Sequence, residues 1–249
     1  MNKGAVNYTL YLLAGFVIFN GIRHIAAVLL EMNALPTPLK VYASYTQAAK
    51  NGIVGHISAS MLRIGAGLLI SLVIAAVLGI AMGYNKTINK VFGPSLYLSY
   101  PIPKLALLPV IMIFFGIGDL SKIIMIVVII VFQLIVSIRD AVVAIPNEYY
   151  DVMVSLKAGA FDKIRNITVP AVVPAILSSL RVSTGTAISV LIVAETYGTS
   201  KGLGFYVIDS WMRADYVQMY FGIVVLSLVG LAIFMLLDLA QKHLCRWKV

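Results

Sequence analysis

The side chains able to do chemistry in this chain are few and scattered. Its histidines are His24, His56 and His243, and its one cysteine is Cys245. Such separations make no metal-ligand spacing, and a single cysteine closes no intrachain disulfide. The sequence holds no H-E-x-x-H pair for zinc, no G-x-S-x-G elbow for a nucleophile and no G-x-x-x-x-G-K-[ST] loop for ATP. Carboxylates gather only between 139 and 162, in a stretch that reads as a solvated loop face. What remains is chemistry of binding rather than of bond-making. Lys104 and Arg181 are charges in or beside apolar runs, where they either attract an anion or snorkel to an interface. Ser183, Thr184, Thr186 and Ser189 set hydroxyls along one apolar segment, for a polar path or for helix packing. Pro101, Pro103 and Pro109 free backbone carbonyls, tolerable in a membrane only against protein or a water-filled cavity. Glu195 ends the hydroxyl-bearing segment. It either pairs with a basic residue, contributes to an outer gate or anchors at an interface.

The elements that must position these residues follow from composition. Of 249 residues, 61% are hydrophobic and 12% charged, with a mean hydropathy of +0.97. Soluble domains carry roughly 45–50% apolar and about 25% charged residues, so a soluble class is excluded. A disordered one is excluded too, because too much apolar surface is present. The chain is expected to be an all-α integral membrane protein with about six transmembrane helices. Apolar runs place them at 8–30, 62–83, 94–115, 123–138, 169–194 and 217–237, the third interrupted by its prolines. The first run exceeds signal-peptide length and is read as a retained helix. Residues 33–40 break the chain, and 41–60 read as an amphipathic lead-in near the surface. The division expected is 1–60, a first transmembrane helix plus lead-in, and 61–249, a core of the remaining spans. Gly79 and Gly83 have the spacing of a helix-packing face. The polar Y-N-K-T-I-N-K (84–90) and the Gly- and Thr-rich 197–215 are expected to be loops. Short loops leave no room for a nucleotide-binding domain.

Nineteen basic residues against ten acidic give a net charge of +9. In a soluble protein this balance would suggest nucleic acid; here it suits the cytoplasmic enrichment of Lys and Arg, and no nucleic-acid partner is expected. With the N-terminus inside, Lys3, Lys86, Lys90, Arg139, Lys157, Lys163, Arg165, Lys242, Arg246 and Lys248 fall inside. Lys40, Lys50, Lys122, Lys201 and Arg213 fall outside. The excess places both termini, and the loop 139–168, in the cytoplasm.

That loop is the long polar stretch of the chain. Pro146 followed by Glu148 reads as a helix start, since an acid favours the positive N-terminal end. Val152, Met153 and Leu156 recur at helical spacing. Ala158, Gly159 and Ala160 offer a turn, and Phe161, Ile164 and Ile167 continue a helical face toward Pro170. Two short helices with apolar side chains facing the cytoplasm either mark a partner site or pack on their own bundle.

The segment 146–168 resembles the "EAA" coupling segment of permease subunits in binding-protein-dependent ABC importers. Asp151 takes the acidic position, Val152 and Met153 the two small positions, Lys157 the glycine and Ala158 the alanine. Phe161 takes the aromatic, Arg165 the basic residue and Val169-Pro170 the Leu-Pro that opens the next span. The departures are two larger residues at the alanines and Lys157 at the glycine, with Gly159 two positions later, so a remodelled turn is expected. P-I-P-K-L-A-L-L-P-V-I-M-I-F-F-G-I-G-D-L-S-K (101–122) resembles the third-span signature of the nitrate/sulfonate/taurine branch. So do L-R-V-S-T-G-T-A-I-S-V-L-I-V-A-E, ending at Glu195, the G-L-G at 202–204, the R-A-D at 213–215, Asp238 and Trp247. The likeness covers about 55–249.

The resemblance implies the type I ABC importer permease fold, with two permease subunits, commonly a homodimer, forming the membrane pathway. It implies a cytoplasmic ABC ATPase dimer that carries ATP and Mg, an extracytoplasmic solute-binding protein, and no cofactor on this chain. The coupling residues it implies are Glu148, Asp151, Val152, Met153, Leu156, Lys157, Ala158, Gly159, Phe161 and Arg165. A prokaryotic inner or plasma membrane follows, with lipid around the spans. The solute implied is a small oxyanion such as a sulfonate, taurine or nitrate; a pyrimidine or vitamin precursor is the alternative. Outside the family, the rivals are a stand-alone carrier or channel and an intramembrane protease. The protease would need carboxylates or histidines clustered within the spans.

Overall fold

A computed structural model describes residues 3–246, with side chains for residue 11 and from 14 to 246. Trp247 and Lys248, and the side chain of Lys3, lie outside what is described. Every regular element among the described residues is helical.

α1 (Lys3–Leu30) ends in a turn, and two short helices follow, α2 (Pro38–Ala43) and α3 (Tyr45–Lys50). Gly52, at φ +73°, separates them from the long α4 (Ile53–Tyr84). The surface lead-in is therefore shorter than expected, because 53–60 already belong to α4. The polar 84–90 segment is helix rather than loop. Asn85 caps α5 (Lys86–Ser99), its Oδ1 accepting from the Thr87 and Ile88 amides at 2.8 and 3.2 Å. Pro101 and Pro103 then stop the helix, and the chain resumes as a tight turn (Lys104–Leu107) and α6 (Leu108–Phe115). The two arms bend by 89°. Gly116, at φ +80°, ends α6, and α7 (Asp119–Val143) starts with an acid in its first turn.

α8 (Asn147–Ser155) and α9 (Ala160–Lys163) fill the polar loop. A π-helical turn, Ile164–Thr168, joins α9 to α10 (Val169–Ala194), whose bounds are those expected of the fifth span. The expected 197–215 loop contains α11 (Leu203–Met212). Asp215 then caps α12 (Tyr216–Leu244), accepting from the Gln218 amide at 3.1 Å.

Four helical stretches are long and apolar enough to cross a membrane: Ile53–Tyr84, Asp119–Val143, Ala160–Ala194 and Tyr216–Leu244. The bent α5–α6 pair would make a fifth, and Ala14–Leu30 is a shorter apolar helix. Among the described residues four helices thus meet the length and composition of a span, or five with the proline-split third run counted as one. Large apolar side chains such as Leu69, Val77, Leu231 and Leu236 stand exposed, as lipid solvent permits.

The core forms where α4 meets α7. Gly67, Ser71, Ala75 and Gly79 are buried at intervals of four, and Gly83 continues the row. Against them lie Ile126, Ile130, Leu134, Ile138 and Val142, at the same interval. An added Cβ on Gly67, Gly79 or Gly83 would come within 2.6–2.9 Å of Ile126, 2.8 Å of Ile138 or 2.5 Å of Val142. Small residues let the backbones approach, and branched side chains fill the space. α10 packs beside this pair through Val172, Leu177, Leu180 and Leu191. At 1.5 Å per residue, α10 runs about 39 Å, which sets Thr168 and Glu195 at opposite ends of the bundle.

Candidate functional site

At the Thr168 end, α8 lies outside the candidate spans and none of its residues is buried. Val152, Leu156 and Phe161 are 62%, 72% and 71% exposed. Glu148 and Asp151 are exposed, Met153 is half-buried, and Arg165 points outward. A cleft lined by Glu148, Tyr149, Val152, Met153 and Ile167 runs along α8. Lys157 is the turn residue after α8. Its φ is +57°, and its amide donates to the Val154 carbonyl while the Ala158 amide donates to Met153. This pair of bonds is the Schellman arrangement, whose left-handed position favours glycine. Lys157 therefore occupies the conformation that a glycine would adopt without strain. Asp162 accepts from the Gly159 amide at 3.1 Å and starts α9.

At the Glu195 end, a charged cluster has a buried centre and an exposed edge at Asp119. Arg63 on α4 and Glu195 are buried, with the Arg63 Nη1 to Glu195 Oε1 distance 2.5 Å. Arg63 also donates to Asp119 Oδ1 from Nε (2.9 Å) and Nη2 (2.5 Å), to Thr199 Oγ1 at 3.3 Å and to the Lys201 carbonyl at 2.8 Å. Glu195 accepts from Ser60 Oγ at 2.8 and 3.0 Å and from the Gly204 amide at 2.7 Å. Ser60 Oγ in turn accepts from the Leu203 amide at 2.7 Å, and His56 Nδ1 accepts from the Gly202 amide at 3.1 Å. The G-L-G sequence has a geometric reason here. Gly202 has φ +136°, and an added Cβ would meet the Glu195 carboxyl at 2.3–2.4 Å. On Gly204 it would meet the Ile192 backbone at 2.7 Å. The cluster ties α4, α7, α10 and α11 together. Nearby, Tyr206 donates to Gln218 Oε1 at 2.5 Å, and burial pushes its phenol pKa up, which keeps it a donor.

Glu195 is therefore a paired, buried group, and the interfacial-anchor alternative is withdrawn. Its partner Arg63, with Ser60, His56 and Asp119, escaped sequence reasoning. The available signal was a lone arginine in a long apolar helix, which must find a partner.

The remaining pathway residues separate. Ser183 and Thr184 are fully buried between helices, Thr184 donating to the Leu180 carbonyl at 2.8 Å, so both leave the pathway set. Thr186 is half-buried, and Ser189 is exposed and donates to the Gly185 carbonyl at 3.0 Å. Arg181 pairs with Asp238 and donates to Gln241 Oε1 at 3.1 Å on α12. Its charge is thereby matched inside the chain. Lys104 Nζ sits over the rings of Phe132 (5.2 Å) and Tyr100 (5.8 Å), while Pro101 and Pro103 are exposed at the bend. A groove of about 630 Å³, lined by Leu105, Leu108, Met112, Ile113, Val193 and Tyr197, runs from α6 to the end of α10. Among the described residues no group of three or more His, Cys, Asp or Glu could hold a metal ion.

The model of the family described as "Binding-protein-dependent transport system inner membrane component" matches residues 50–248. A putative aliphatic sulfonates transport permease protein of Bacillus subtilis is 26% identical over 86% of this chain and 78% of its own length. The taurine transport system permease protein of Escherichia coli is 31% identical over 77% of this chain and 70% of its own. A formylaminopyrimidine transport permease protein of Halalkalibacterium halodurans is 25% identical over 86% of each.

Proposed function

The chain belongs to the inner membrane components of binding-protein-dependent transport systems, and on that premise we propose how it works as the permease subunit of an importer for a small solute. It pairs with a second permease subunit, a second copy of itself, to enclose the path. Two cytoplasmic ATPase subunits bind ATP and Mg and supply the work. An extracytoplasmic protein delivers the solute, and both termini lie in the cytoplasm. The solute is a small oxyanion of the sulfonate, taurine or nitrate kind, supported by the sulfonate and taurine permeases among its relatives. The formylaminopyrimidine relative supports a second reading, a pyrimidine precursor. Matching of Arg181 by Asp238 favours that reading too, since it leaves Lys104 as the pathway cation facing aromatic rings.

The observation that carries the coupling role is the exposure of Val152 and Leu156 on the short helical segment between two spans, with Phe161 exposed where the next span begins. Apolar side chains projecting from the polar end of a membrane bundle suit a protein groove. α8 seats in the ATPase, with Met153 and Leu156 as apolar anchors, and moves with it when ATP closes the ATPase pair. Affinity purification of the tagged chain from native membranes tests this. The ATPase subunit is expected to co-purify and to be lost with Leu156→Asp. Leu156 is exposed, so the change touches the surface and not the fold. Recovery of the chain alone, from membranes that keep such complexes intact, would instead favour a self-sufficient carrier or channel.

A further inference from the structure

α8 has no buried residue, yet a lever must be fixed firmly to what it moves. Its hold on the bundle is concentrated at Tyr150. The Tyr150 ring meets that of Tyr84, at the end of α4, edge to face with centroids 5.7 Å apart. The Tyr150 hydroxyl lies 3.0 Å from Thr168 Oγ1, and the Tyr84 hydroxyl bonds to the same oxygen. Thr168 is fully buried and closes the π-helical turn from which α10 starts. Three elements thus meet at one hydroxyl: the short helix, the end of α4 and the start of α10. Beside them lies a cleft of about 600 Å³ whose border mixes Lys86, Asn89, Asn147 and Lys163 with Met82, Val142, Val143 and Ile145. The π-helical geometry, i→i+5, is uncommon and recurs at functional sites in helices.

We propose that Tyr84, Tyr150 and Thr168 form the joint through which displacement of α8 reaches α4 and α10. These are positioning residues. They do not touch the ATPase or the solute; they make the short helix and the two long ones move as one body. The inference rests on the coupling reading above. A hydroxyl shared by two phenols suits the task, because its bonds are directional and survive a rigid-body tilt while sliding breaks them. Without them α8 would rock on one aromatic contact.

The test uses the full chain assembled with its ATPase in lipid, with Cys245 replaced by serine and a reporter cysteine at Tyr197→Cys beside the far-end cluster. Maleimide labelling of the reporter is compared with and without ATP and vanadate. In the parent, trapping is expected to change the labelling rate. Tyr150→Phe and Thr168→Val are expected to keep ATPase binding while the labelling response falls about fivefold or more, the scale of one lost hydrogen bond. Thr168→Ser, which restores the hydroxyl, is expected to restore the response. An unchanged response in Tyr150→Phe and Thr168→Val would overturn the joint. So would ATPase binding lost in step with the response, which would make these residues part of the docking surface. A parent chain that neither retains an ATPase nor responds to ATP would overturn the importer reading itself, and the joint with it.

Discussion

Arg63 shows what a buried charge needs in this setting. Each of its guanidinium nitrogens has a partner, and its two carboxylates come from different helices. Breaking a buried pair by removing one member leaves an uncompensated charge and costs about 3–5 kcal/mol. Arg63→Ala is therefore expected to lower the melting temperature in detergent sharply, and Arg63→Ala with Glu195→Gln to recover much of the loss. A single variant as stable as the parent would mean that the cluster contributes nothing. Lys157 is the opposite kind of residue: its left-handed backbone costs about 1–2 kcal/mol relative to a glycine. The family alignment by itself made the substitution look like a change of turn. The backbone at Lys157 is left-handed, so a lysine stands where a glycine would be unstrained. The joint at Thr168 had no signature in the sequence, because two tyrosines and a threonine 66 and 18 residues apart have no period to read.

The element scale is where the sequence was most legible and where its limits have plain causes. α10 was readable to the residue because prolines open it and a charge closes it. α11 was not, because G-L-G and the threonines before it read as loop. It is helical through what it packs on: Leu203, Tyr206 and Val207 are buried, and Gly222 of α12 admits Tyr206 and Val207. The glycine row on α4 could be read as a packing face, but nothing in the spacing named α7 as its partner. Gly79→Leu is expected to force α4 and α7 apart, at about 1–3 kcal/mol or more for an overpacked contact, seen as a lower melting temperature in detergent. Gly65 faces open space, so Gly65→Ala is the control and is expected to keep or raise that temperature. Equal behaviour of the two variants would remove the close-packing account.

At the scale of the molecule, the two polar clusters lie at opposite ends of α10, one built around Thr168 and the other around Glu195. The orientation proposed from the charge distribution would put the first in the cytoplasm. Single cysteines at Lys157 and at Lys201, in a Cys245→Ser background, check this with a membrane-impermeant maleimide on intact cells. Lys201→Cys is expected to label and Lys157→Cys only after the cells are opened. The reverse pattern would invert the molecule and detach α8 from any cytoplasmic ATPase. The pairing of α4 with α7 also has a consequence in time. The partner of α4 does not follow it directly in the chain: the bent α5–α6 pair comes first. A ribosome adds about 5–20 residues per second, so several seconds pass before α7 exists. Until then the glycine face of α4 lacks its partner, and the order of synthesis, not the strength of the contact, sets how long the newborn helix waits.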